Sequence, residues 1–85
     1  MKNAQKQKGK KMVQPIYAIR DMVVEFHAPI TGINDEQMTR DFKVYCSNKA
    51  EIEKKDLQLY KIGTFDTVTG KITPIEPEFM IGGFE

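Results

Sequence analysis

Five lysines, Lys2, Lys6, Lys8, Lys10 and Lys11, fall within the first eleven residues with no acid among them. Each can neutralise one phosphate, and five on single-stranded DNA correspond to a salt slope of about −3.5. Lysine is a point charge that does not read base edges, so such binding is expected to be weak and non-specific. Tyr17 and Tyr60 lie in strand-like segments and could stack on bases if exposed. The alternative for both is ordinary packing. His27 stands beside Phe26, with no acid or nucleophile at a spacing that would make it a general base. Cys46 falls on an apolar helical stripe, where thiols are usually inert core residues.

The remaining chemistry is sparse. One Cys and one His cannot complete the usual zinc ligand sets, so neither a metal nor a cofactor is expected. Gly82 and Gly83 are not followed by the Lys-Ser/Thr and helix start of a phosphate-binding loop. The carboxylates are scattered among lysines and read as a solvated face, so no enzyme is expected. A single Cys also excludes an internal disulfide and suits a reducing compartment. No apolar run approaches the ~18–20 residues that cross a bilayer.

Charge divides the chain of 85 residues. The total is +1, from 13 basic and 12 acidic groups. The lysine segment accounts for +5, which leaves 8 basic against 12 acidic groups, or −4, for the rest. Residues 1–12 read as a disordered basic arm, with a solubility tail as the alternative. Residues 13–78 read as one small domain, which buries only about 60% of its unfolded surface. Residues 79–85 form an apolar tail, in which Phe79, Met80, Ile81 and Phe84 should dock on the body or a partner.

Within the body, Pro15–Val24 is rich in aliphatic and β-branched residues and reads as a strand. Ile16 and Ala18 share one face, Tyr17 and Ile19 the other. Glu25–Ile30 reads as an extended connector limited by Pro29, and an extra short strand around Phe26–Ile30 is compatible with it. Asn34 is the expected helix N-cap, with Gln37 at N3, Asp35 and Glu36 at the positive end of the dipole, and an Ile33–Met38 staple. Met38, Phe42, Tyr45 and Cys46 make one helical face, and Ser47-Asn48 ends it, with Asn48 able to adopt the left-handed region. Leu57–Phe65 is a second strand whose alternation slips, so either both its faces are packed or Gly63 marks a bulge. Asp66–Gly70 is a tight turn leading to a return strand over Lys71–Ile75, which Pro74 should either place at an edge or end. The expected fold is α+β: one helix on a small mixed sheet of about three strands, including a C-terminal hairpin. If the first two strands pair across the helix, they run parallel through a right-handed crossover.

Three segments resemble a known family. Ile16-Tyr17-Ala18-Ile19-Arg20-Asp21, then Ala28-Pro29-Ile30 before Asn34-Asp35, and above all Leu59-Tyr60-Lys61-Ile62-Gly63-Thr64-Phe65-Asp66 with Thr69-Gly70 are similar to the small non-structural proteins of gokushovirus-type Microviridae, whose corresponding block reads LYRIGxFDxxTG. The likeness spans residues 16–75 and leaves out the lysine arm. It implies a single-stranded DNA phage, the host bacterial cytoplasm, and a role in genome replication or the switch to packaging single strands. Members are commonly labelled DNA-binding, but the resemblance transfers no site residues. Two functions follow as expectations. One is a non-enzymatic accessory protein binding single-stranded DNA. The other is a protein-interaction module, as a homo-oligomer or with a phage or host partner.

Overall fold

The computed structural model describes residues 12–83. The lysines of the arm and Phe84 lie outside the described residues. The chain forms strand β1 (Val13–Asp21), two short strands β2 (Glu25–Phe26) and β3 (Ile30–Thr31), helix α1 (Asp35–Ser47), a single turn α2 (Glu51–Lys54), and the long strands β4 (Leu57–Asp66) and β5 (Ile72–Gly82). Strand residues outnumber helical ones about two to one. The expected α+β domain of one helix on a three-strand mixed sheet is therefore corrected. The molecule is mostly β, a curled antiparallel half-barrel ordered β2-β1-β4-β5, with β3 also on β1.

The parallel pairing of the first two long strands is corrected as well, for a topological reason. β4 runs antiparallel to β1 along its whole length, from Asp21↔Leu57 to Val13↔Asp66. The segment after β1 is not a passive connector. It turns at Asp21–Glu25 and travels back along the free edge of β1 as β2 and β3, both antiparallel to it. Pro29 cannot donate to a ladder, which keeps the two pieces at two residues each. That return adds one reversal before α1, so β4 starts at the Asp21 end and the parallel crossover rule has no strand pair to act on.

α1 begins as its sequence dictates. The Asn34 side chain accepts from Gln37 N at 2.8 Å, and Gln37 Oε1 accepts from Ile33 N at 3.3 Å. Asp35 and Glu36 occupy the first turn. The expected staple is absent, because Ile33 is 74% exposed. Asn48 caps the other end at φ −95°, outside the left-handed region. Met38, Phe42 and Cys46 face the sheet and bury against Tyr17, Leu57 and Leu59, with Ile19, Tyr45, Met80 and Ile81 around them. Burying an aliphatic or aromatic side chain of this size is worth about 1.5–3 kcal/mol. This small cluster is the whole of the helix-packed core.

The β4–β5 hairpin turns where the Asp-x-x-x-Gly pattern places it. Asp66 Oδ1 accepts from Val68 N at 2.8 Å and Thr69 N at 3.2 Å, and Gly70 takes φ +80°. β5 does not end at Pro74. It lies on an edge and continues to Gly82, so Phe79, Met80 and Ile81 belong to the sheet rather than to a separate tail. The register slips where Ile75–Pro77 stand opposite Ile62 alone. Gly63 is needed at this bulge, since a Cβ there would lie 2.7 Å from the Thr73 carbonyl oxygen.

At the end of β5, Gly83 N donates to the Leu57 carbonyl at 2.8 Å. A side chain on Gly83 would overlap the carbonyl oxygen of Lys54. Gly83→Ala is expected to lift the C-terminal end from the α2 turn and cost about 1–3 kcal/mol, read as a fall in thermal midpoint. An unchanged midpoint would show that this end is not closely packed.

Candidate nucleic-acid interface

The two faces of the sheet differ. The face under α1 carries Tyr17, Leu57 and Leu59. By the pleat and the pairing register, the opposite face carries Ile16, Ala18 and Arg20 from β1, Phe26 from β2, Tyr60 and Phe65 from β4, and Phe79 from β5. The α1 residues Met38, Phe42 and Cys46 pack on the other side, although Ile16 and Ala18 on this face are themselves buried, at 7% and 1% exposure. The molecule is 16 Å across its thinnest dimension, enough for one sheet and one helical layer.

Three aromatic rings form a row across this open face. Tyr60 stands in register between Ala18 and Phe79. Its ring meets Phe26 at 5.3 Å between centroids and Phe79 at 5.8 Å, both edge to face. That geometry suits the ring quadrupoles and holds the row without a covering layer. Phe26 remains 43% and Phe79 48% exposed. At one end, the Arg20 guanidinium lies 5.6 Å from the Phe26 centroid, a cation–π distance. Its Nη2 reaches Glu25 Oε1 at 3.4 Å, while its Nε is buried with no hydrogen-bond partner among the described residues. Arg20 is the only charged residue at a paired position of this face.

Of the two tyrosines nominated from sequence, only Tyr60 is on the open face. Tyr17 is 0% exposed, so no base can reach its ring and it is not a stacking residue. It belongs to the core, where its hydroxyl donates to Asp35 Oδ1 at 2.6 Å. Lys61 Nζ lies 3.4 Å from the same oxygen. Burial, then the Asp35 bond and charge, raises the Tyr17 pKa far above the usual phenol value. The Tyr17 bond holds the Asp35 carboxyl below its usual range; burial opposes it, and the Lys61 charge and contact add to the lowering.

Phe79 was grouped with Met80, Ile81 and Phe84 as a protein interface. Among the described members of that set it is the one on the aromatic row, whereas Met80 and Ile81 pack against the core. Arg20 and Phe26 were not singled out by sequence. The alternation Ile16-x-Ala18-x-Arg20 was a usable signal for the first, but Phe26 joins the face only through the β2 pairing.

The other candidate chemistry is dispersed. His27 lines a cleft of about 380 Å³ with Asp21, Tyr45, Lys49, Glu53 and Asp56, which offers no serine or cysteine. Cys46 is buried, and burial pushes its thiol up. Among the described residues, no group of three or more His, Cys, Asp or Glu could hold a metal ion, and no helix is long and apolar enough to cross a membrane.

The Met12 carbonyl, where the lysine segment joins the described chain, accepts from Thr67 N at 2.8 Å and Thr67 Oγ1 at 2.9 Å. Met12 is therefore held at the β4–β5 turn. Val13 to Ala18, in register with Tyr60, is five residues, or about 16 Å of strand.

Compared with known proteins, residues 14–85 match the family model described as Phage ORF5 protein. Neither the curated proteins nor the solved structures contain a significant match.

Proposed function

Because the chain belongs to the Phage ORF5 protein family, we propose that this phage accessory protein binds single-stranded DNA, weakly and without sequence preference, on the open face of its sheet. In this reading it is a non-enzymatic protein of gokushovirus-type Microviridae. It acts in the host bacterial cytoplasm during genome replication or the switch to packaging single strands. The observation that carries the reading is the Phe26–Tyr60–Phe79 row, with exposed rings on either side of a half-buried Tyr60 and Arg20 at its end. Every base has a π-face, so an aromatic row accepts any sequence whose bases are unstacked. A duplex hides those faces, and single strands are favoured.

Charge agrees with this choice of face. The acidic excess of the body would repel phosphate, and Glu25 brings a carboxylate to Arg20 at the end of the row, but the row positions Phe26, Tyr60 and Phe79 and their partners Arg20 and Ala18 carry none. The five arm lysines supply phosphate contacts that add affinity without sequence preference.

The test is fluorescence anisotropy of a labelled oligothymidylate and of a duplex of equal length, across a salt series. Wild type is expected to prefer the single strand. Replacing all five arm lysines with Gln should flatten the salt slope by up to about 3.5 and leave residual binding at low salt. Equal affinity for duplex and single strand, or binding to neither, contradicts the reading.

A further inference from the structure

We propose that Glu25 gates this site, its carboxylate holding the Arg20 guanidinium until a backbone phosphate displaces it. The inference rests on the nucleic-acid reading above and adds to it how the site is kept weak. Glu25 takes φ +78° and is the only non-glycine residue at positive φ among the described residues. A glycine would adopt that backbone without strain. The tight turn before it, with Val24 N donating to Asp21 O at 3.0 Å and Val23 N to Asp21 Oδ1 at 2.8 Å, sets the backbone but makes no use of the Glu25 side chain.

That side chain is 72% exposed, so packing does not require it, and its one polar partner among the described residues is Arg20. The contact is long at 3.4 Å, as in surface pairs that exchange readily. Arg20 is itself incompletely satisfied, with Nε unpartnered and its plane near Phe26. A phosphate can take two parallel hydrogen bonds from a guanidinium fork, which the loosely held carboxylate does not. Strand binding therefore exchanges one anion for another at Arg20, with a base on the neighbouring ring. Glu25 lowers affinity both by engaging Nη2 and by repelling phosphate.

The test is a double-mutant cycle in the full chain, using anisotropy of a labelled oligothymidylate at fixed low salt. Glu25→Gln keeps the side-chain size and removes the charge. It is expected to tighten binding by about threefold to tenfold. In an Arg20→Gln background the same change should give little or no gain. Arg20→Lys serves as a second background that keeps the charge but loses the fork, and thermal melts confirm that each variant is folded. No gain from Glu25→Gln, or an equal gain without Arg20, overturns the gate and leaves the nucleic-acid reading standing. No binding by wild type or any variant overturns both.

Discussion

Tyr60→Ala is expected to weaken single-stranded DNA binding by tenfold or more, the largest loss from any single side chain of the open face. Base–aromatic stacking is worth about 1–3 kcal/mol per base by alanine substitution, or about fivefold to 150-fold in affinity. Tyr60 stands at the centre of the row and touches both other rings. Its loss removes one stacking surface and the edge-to-face support of two more, each such pair being worth about 0.5–1.5 kcal/mol. Some stability is therefore lost too, and Phe79→Ala separates the two effects. Phe79 is on the edge strand, half exposed, with one ring neighbour. It should lose about fivefold in affinity with a smaller fall in thermal midpoint. If both variants bind as wild type does, the open face is not where the strand lies.

Tyr17 governs folding rather than binding. Tyr17→Ala removes a fully buried ring from the centre of a small core and should cost about 3–5 kcal/mol. Native stabilities are about 5–15 kcal/mol and fall toward the low end for small domains, so this variant is expected to be largely unfolded at 37 °C. Tyr17→Phe keeps the ring and loses the 2.6 Å bond to Asp35, a change of about 1 kcal/mol.

The same bond gives stability two pH limits. The folded pKa of Asp35 is depressed, so its contribution is present above the unfolded value, near 3.9, and is lost as pH falls through the folded one. The folded pKa of Tyr17 is raised, so its contribution is complete below about pH 10 and declines as pH rises further. Tyr17→Phe should flatten both limbs in denaturant melts between pH 2 and 11. A curve parallel to that of wild type would show that the pair does not set them.

Much of the local structure was legible because it depends on near neighbours. The Asn34 cap, the Met38–Phe42–Cys46 face and the Asp66–Gly70 turn each rest on contacts within a few residues. The topology was not legible. Whether Glu25–Ile30 is a connector or a return pass along β1 depends on pairing with Arg20 and Tyr17, and no local propensity encodes that choice. The site was half legible for a related reason. Strand alternation places Tyr17 opposite Ala18, but it does not say which face α1 will cover. The two tyrosines look alike in sequence and lie on opposite faces, one sealed in the core and one half-buried between Phe26 and Phe79. Phe26 and Phe79, fifty-three positions apart, are brought to either side of Tyr60 only through register with Arg20 and Tyr60.

The most direct test of the open face as a nucleic-acid site is an amide chemical-shift titration of the full chain with a short oligothymidylate. Shifts should concentrate at Arg20, Phe26, Tyr60 and Phe79 and in the lysine segment, and leave the helix-covered positions Leu57 and Leu59 and the body of α1 nearly unmoved. Shifts centred on α1 or on the His27 cleft, or a spectrum unchanged at saturating oligonucleotide, would contradict it.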